Sequence, residues 1–448
     1  MGRLFGTDGV RGIANRELTA ELAFNLGQAG AAVLAGHARH RPQVLIGSDT
    51  RISCGMLEAA LAAGLCAAGA DAVLCGVIPT PGIAALTGSG GYDAGVVISA
   101  SHNSFEFNGI KFFNADGYKL ADAVEDEIEG MIAAGTYPKR PDRDRVGRVR
   151  RFDGAAAEYS AHLAQIMGVD LSGLLIAMDC ANGAASGIAP ALFRSLGANV
   201  VVIGNEPDGT NINDNCGSTH LGSLAHLVRE QECSIGIAFD GDADRMLAVD
   251  EYGDPVDGDV IMAIIADDMR RQGALEDDTL VVTVMSNLGL DIAAGELGIR
   301  LEKTKVGDRY VLETMIAGGY SIGGEQSGHI ILRDCATTGD GMLSALRLLR
   351  ALKNRGQMLG QARRIMTVLP QVLKSARIPN PNKESAMADP VIRSMCEECD
   401  KRLAGRGRVL VRASGTEPVI RVMLEGEDID VITGMAEQIA AKIAERHG

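Results

Sequence analysis

The sequence predicts an α/β protein: three related α/β domains with mixed, mainly parallel sheets, followed by a smaller α+β domain. Three observations predict it. A unit of buried strand, polar turn, helix, glycine stop and second strand occurs three times. Its strands are unbroken runs of Val, Ile and Leu, as expected where both faces of a sheet are covered. The chain, at 448 residues, is also too long for one hydrophobic core.

The first unit starts with a strand at 43–47, passes through a polar turn into an Ala/Leu-rich helix ending near Ala68, and returns at 69–74. Glycine at a helix end adopts the left-handed conformation that stops it. The second unit has a strand at 174–178, a turn at 179–183, a helix and a strand within 196–203. The third has a strand at 280–284, a turn at Ser286 and Asn287, and a strand at 297–301 after its helix. A spacing of about 100–130 residues suits domains of ordinary size. Beyond them, 367–374, 409–412 and 419–425 read as strands, and an amphipathic helix runs from Asp428 to near His447. The Arg/Lys/Pro/Asp-rich stretch 139–151 reads as a connector, as does the region near Arg363. The expected domains are 1–150, 151–255, 256–366 and 367–448.

A formal charge of −15 argues against nucleic acid or an anionic membrane as partner, since phosphates repel an acidic surface. A small phosphorylated ligand would need local cations or a metal. No apolar run is long enough to cross a bilayer, and residues 4–9 lack the character of a secretory leader, so a cytoplasmic location is expected. Nine scattered cysteines imply no disulfide framework. Cys396 and Cys399 form a lone CxxC without the second pair or neighbouring His that a zinc site needs.

Six stretches carry chemistry. Ser99-Ala-Ser-His-Asn-Ser-Phe-Glu-Phe-Asn-Gly-Ile-Lys111 follows the apolar run 95–98 and puts Ser101 at the end of a core strand, where a hydroxyl is held rigidly yet faces a ligand. Read alone, its serines are equally turn residues bonding their own backbone. In Phe239-Asp-Gly-Asp-Ala-Asp-Arg245, the alternating Asp240, Asp242 and Asp244 can converge, and three unneutralised carboxylates suit a hard cation, Mg²⁺. An EF-hand is opposed by Arg245 at the sixth loop position, where glycine makes the turn, and by flanking stretches that read as strands. Gly323-Gly-Glu-Gln-Ser-Gly-His329 offers Glu325 and Ser327, which in an extended segment point the same way and suit sugar hydroxyls, and His329 for acid/base work or a structural role. Lys305 is the cation of the loop 304–309. Arg412-Ala-Ser-Gly-Thr-Glu-Pro418 joins two strands and reads as a plain hairpin turn or a small anion cradle. The glycine-rich opening, 5–12, exposes Arg11.

Four of these motifs, in this order along the whole chain, resemble the α-D-phosphohexomutases. The opening Phe-Gly-Thr-Asp-Gly-Val-Arg-Gly and Gln326 are most similar to the bacterial glucosamine-phosphate branch of that family. The resemblance implies three α/β domains and a smaller C-terminal one around a central cleft, one motif from each. It implies that Ser101 carries a phosphoryl group and, with Asp240, Asp242 and Asp244, holds Mg²⁺. His102, Lys111 and Arg245 would line the transfer site, with Arg11, Lys111 and His329 as acid/base candidates. Glu325 and Ser327 would bind the sugar. Arg412, Ser414, Gly415, Thr416 and Arg421 would hold the non-reacting phosphate. The implied reaction interconverts glucosamine 6-phosphate and glucosamine 1-phosphate through a 1,6-bisphosphate, in a homodimer supplying amino sugars for cell envelopes. One departure stands out: Ser104 occupies the place where proline commonly follows Ser-His-Asn, which predicts a more flexible loop.

Two alternatives remain at this level. One is a mutase for glucose or mannose phosphates. The other, from a different class, is a non-catalytic, metal-dependent sugar-phosphate binder, which needs neither Ser101 nor the acid/base set. A serine hydrolase is opposed by the lack of GxSxG.

Overall fold

The computed structural model describes residues 4–6, 8–35, 40–414 and 418–448. They form two compact units. The first comprises Met1–Val284 with Ile299–Arg364, and the second Met285–Gly298 with Ile365–Gly448.

Three sheets organise the first unit. The six-stranded one runs in the order Val10–Ile13, Phe107–Asn114, Ala94–Ile98, Gln43–Ser48, Asp71–Val77, Val149–Arg151. Its centre is parallel, and Val96, Val97 and Ile98 are completely buried. A side chain of that size contributes about 1.5–3 kcal/mol when fully buried. The five-stranded sheet takes Pro255–Val256, Met246–Val249, Ile235–Phe239, Leu175–Asp179 and Asn199–Ile203 in that order. The four-stranded sheet takes Arg300–Thr304, Thr279–Thr283, Ile322–Gly324 and Ile330–Leu332. Helices follow the parallel strands, as the repeat predicts. Gly69 (φ 95°) and Gly298 (φ 66°) end two of them in the left-handed conformation.

Each sheet changes from parallel to antiparallel at one hairpin, and each hairpin turn is one of the chemical motifs. Ala94–Ile98 pairs antiparallel with Phe107–Asn114 around the serine loop. Phe239 faces Met246 across the aspartate loop, which rules out the helix-flanked EF-hand. Gly324 faces Ile330 across the loop carrying Glu325 and Ser327.

In the second unit, Gln371–Arg377, Val419–Gly426 and Gly407–Ala413 form an antiparallel sheet, again with a motif in the last hairpin. The helix Ile429–His447 covers it and buries Ile432, Met435, Ile439 and Ile443.

Two expectations change. The strand expected at 367–374 starts at Gln371 and runs to Arg377. Pro370 has no N–H for a ladder, and the Leu369 N–H donates to Asn287 Oδ1 at 3.0 Å instead. The connector expected at 139–151 ends in a strand, Val149–Arg151, which extends the first sheet because the Arg148 N–H donates to buried Asp71 Oδ1 at 2.8 Å.

Asp340 caps the helix Gly341–Arg355 by accepting from the Leu343 N–H at 2.9 Å, and it also accepts the Tyr159 hydroxyl at 2.6 Å. Burial pushes its carboxyl up to about 6, so the protonated form is favoured by folding. The stabilisation is therefore complete below the ordinary carboxylate range, near pH ~4, and is lost as pH rises through about 6; it amounts to about 3 kcal/mol. Asp340→Asn keeps an acceptor for the cap and carries no charge. We expect its thermal midpoint to exceed that of the wild type at pH ~8 and to match it near pH ~4. Equal midpoints at the higher pH would show that the charge carries no penalty.

Candidate active site

Strand register brings the first cations together. Arg11 lies opposite Gly109, on the same face as Lys111. Gly109 leaves room for the Arg11 stem, since a Cβ there would lie 3.1 Å from Arg11 Cγ and 2.5 Å from Ser99 O. Lys111 is 2% exposed, with Nζ at 2.9 Å from both Asp242 Oδ2 and Asp8 Oδ2. Burial alone would lower its pKa, but Asp242 and Asp8 hold it above the ordinary lysine value, so it is a cation here.

The serine and aspartate loops meet. Ser101 Oγ donates to Asp240 Oδ2 at 2.7 Å, although the two residues lie 139 positions apart. Ser101 is left-handed (φ 52°) and buried. Ligand oxygens of Asp240, Asp242 and Asp244 all lie within 4.8 Å of one another. Among the described residues this is the one such convergence of three His, Cys, Asp or Glu side chains. Asp242 Oδ1 and Asp244 Oδ1 are buried without a hydrogen-bond partner. Two orphaned anionic oxygens beside a third carboxylate fit a hard divalent cation. The Asp240 carboxyl is pushed well up by burial, then by Asp244 and Asp242, which is the repulsion a cation relieves. Thr80 anchors the middle carboxylate, donating from Oγ1 to Asp242 Oδ2 at 2.6 Å.

Both histidines have one nitrogen engaged as an acceptor. An arginine can only donate, so Arg245 at 3.2 Å from His102 Nδ1 leaves the proton of His102 on Nε2. Burial, then Arg245 and Arg11, lowers His102 to about 4, so it is neutral at physiological pH. His329 Nε2 accepts the Gly339 N–H at 3.1 Å, which places its proton on Nδ1, 3.4 Å from Asp244 Oδ2.

The third loop is not extended. A turn in which the Gly328 N–H donates to Glu325 O at 2.9 Å separates Glu325 from Ser327. Glu325 accepts the Gly307 N–H at 3.1 Å, and Ser327 Oγ is buried without a partner. The extended segment expected from the sequence is thus corrected, because Gly328 takes φ 90° and lets the chain fold back. Lys305 is exposed, with Nζ 5.8 Å from the Tyr310 ring centre.

In the second unit, Arg412 faces Arg421 directly across two strands. Partial burial, then Arg421, lowers the Arg412 guanidinium. Like charges in opposition destabilise a sheet, a strain that a bound anion removes. Lys383 Nζ donates to Ser414 O at 2.6 Å and adds a third cation. Gly415 and Thr416 lie outside the described residues.

Sequence reasoning missed several members. Asp8 pairs with Arg11, Lys111 and Lys119, and Lys119 also pairs with Asp308. Asp8 stands inside the opening motif and Asp308 beside Lys305, so both were adjacent to a signal. Lys119, Thr80 and Lys383 carried none.

Comparison with known proteins agrees along the whole chain. Models of the phosphoglucomutase/phosphomannomutase alpha/beta/alpha domains I, II and III match residues 2–139, 157–253 and 257–368, and that of the C-terminal domain matches 373–442. Phosphoglucosamine mutase of Caldicellulosiruptor saccharolyticus is 56% identical, with 100% of both chains covered. A phosphoglucomutase/phosphomannomutase family protein from Burkholderia thailandensis has a similar structure, with TM-score 0.82 at 24% identity, covering 99% of this chain and 98% of that one. N-acetylphosphoglucosamine mutase of Aspergillus fumigatus, solved with GlcNAc-6P and magnesium, gives TM-score 0.66 at 16% identity over 99% of this chain and 96% of that one.

Proposed function

Since the chain belongs to the phosphoglucomutase/phosphomannomutase family, we propose that it interconverts glucosamine 6-phosphate and glucosamine 1-phosphate, as an isomerase working through a phosphoserine at Ser101 and a glucosamine 1,6-bisphosphate. Full-length relatives 52–56% identical to it carry the name phosphoglucosamine mutase. The observation that carries the mechanism is the 2.7 Å contact between Ser101 Oγ and Asp240 within the trio of carboxylates.

Asp240, Asp242 and Asp244, with the serine phosphate, would hold Mg²⁺. That cation supplies charge neutralisation to the transferring phosphoryl group. In the first transfer the bond from phosphorus to Ser101 Oγ breaks and a bond to the free sugar hydroxyl oxygen forms; in the second the other phosphorus leaves its sugar oxygen and re-forms the bond to Ser101 Oγ. In the first the sugar hydroxyl gives up its proton and Ser101 Oγ gains one, in the second Ser101 Oγ gives it up and the departing sugar oxygen gains one, so none is consumed. Such transfer depends mainly on alignment and charge stabilisation. Lys111, Arg11 and Arg245 supply positive charge beside Ser101, and His102 offers its Nε2 proton. Arg11, Lys111 and His329 are the acid/base candidates. Glu325, Ser327 and Lys305 would bind the sugar. Arg412, Ser414, Gly415, Thr416 and Arg421, with Lys383, would hold the phosphate that does not react. A cradle that accepts either end of the sugar permits the bisphosphate to turn over between the two transfers. The division at 1–150, 151–255, 256–366 and 367–448 gives each domain one of these loops. A homodimer in the cytoplasm completes the proposal.

A panel of hexose phosphates tests the substrate, assayed with Mg²⁺ and a trace of bisphosphate. Glucosamine 1-phosphate is expected to give the highest kcat/KM. A higher value for glucose or mannose 1-phosphate would overturn the assignment, and no turnover of any of them would favour a binding protein.

A further inference from the structure

The reacting serine is the second residue of a tight turn, closed by the Asn103 N–H donating to Ala100 O at 3.1 Å. A non-glycine residue at φ 52° is strained and persists only where its surroundings over-determine it. Ser104 offers no ring to stiffen the turn.

Two side chains from different sheets close on the same pair of carbonyls. Arg51, in the turn after Gln43–Ser48, donates from one guanidinium nitrogen to Ser101 O at 3.1 Å and to Asn103 O at 2.6 Å. Asn213, from the second sheet's long loop, donates from Nδ2 to the same two oxygens, each at 2.9 Å. Arg51 is completely buried, and its charge is balanced by buried Asp49. Its other terminal nitrogen reaches Ser99 Oγ at 3.5 Å, and that oxygen accepts the Ser101 N–H at 3.0 Å. Gly241 completes the enclosure, because a Cβ there would lie 2.6 Å from Ser101 O. Asn213 is itself left-handed, at φ 59°, so its amide is aimed by a second strained residue.

We propose that Arg51 and Asn213 are positioning residues for phosphoryl transfer: by gripping Ser101 O and Asn103 O from two sheets, they hold Ser101 left-handed with its hydroxyl on Asp240. The proposal rests on the phosphoserine role given to Ser101 above. A serine that gains and loses a charge of about −2 in each cycle would otherwise move with it. Clamping the carbonyls fixes the backbone and leaves the hydroxyl free to react. A misplacement of about 1 Å at a reacting atom can lower a rate on the order of 10²-fold, so a clamp remote from the substrate acts on kcat.

The test uses the full-length chain, freed of phosphate and given glucose 1,6-bisphosphate with Mg²⁺, while phosphate on Ser101 is followed by mass spectrometry. Asn213→Gly removes the amide and keeps the left-handed backbone unstrained. Loading of Ser101 and mutase kcat are expected to fall about tenfold or more, with KM within about twofold and the thermal midpoint within a few degrees. Asn213→Asp, which points an acceptor at two carbonyls, is expected to fall further. Arg51→Lys keeps the charge facing Asp49 and loses the fork, and is expected to slow loading as well; should it fail to fold, the Asn213 pair decides. Loading by Asn213→Gly within twofold of the wild type would reduce the clamp to a structural tie and overturn the proposal. If the wild type itself acquires no phosphate on Ser101, the phosphoserine reading fails and takes the clamp with it.

Discussion

Ser101→Ala is expected to lower mutase turnover on the order of 10⁴–10⁶-fold, the range found when a covalent nucleophile is removed. The size follows from the site. Ser101 Oγ lies 2.7 Å from Asp240, whose carboxylate converges with those of Asp242 and Asp244, and the neighbouring hydroxyls do not share its place. Ser99 Oγ is already the acceptor for the Ser101 N–H, and Ser104 is exposed. Neither can take over. The fold should survive, because the change removes one hydroxyl and leaves the carbonyl clamp intact. A thermal midpoint within a few degrees of the wild type, together with lost turnover, is the expected pair of results. Turnover within tenfold of the wild type would refute the covalent role.

Removing divalent cations is expected to have the next largest effect. With a chelator, activity should fall on the order of 10³-fold or more, as several kcal/mol of charge stabilisation disappear, and Mg²⁺ should restore it. A second readout is independent of catalysis. Three buried carboxylates repel in the stripped protein, and a ligand that binds only the folded state raises stability by mass action. The thermal midpoint should therefore rise with Mg²⁺ concentration and saturate. Asp242→Asn should lose that rise, while its Lys111 partner keeps Asp8 at 2.9 Å and Asp244 at 4.0 Å. A midpoint indifferent to Mg²⁺, with activity unaffected by chelation, would sink the metal assignment.

Much of this site was legible in the chain. The alternating aspartates at 240, 242 and 244 converge as their spacing predicts, because a tight hairpin turn has few ways to arrange three short side chains. The apolar run before Ser101 is the buried strand expected of it. The third loop misled, since Gly328 at positive φ reverses a segment that alternation alone would extend. The strand expected at 367–374 was displaced by Pro370, a residue visible in the sequence whose effect depends on which neighbour needs an N–H.

The amino-acid order by itself determined the candidate reacting groups, the repeated α/β units and the family to which they belong, because residue types and short spacings carry local chemistry. Only the tertiary structure decided how the serine is held. Arg51 and Asn213 reach carbonyls 50 and 112 positions away from them. Every residue has a carbonyl, so nothing in the chain marks which one a buried guanidinium or amide will find; that choice is made when the sheets pack.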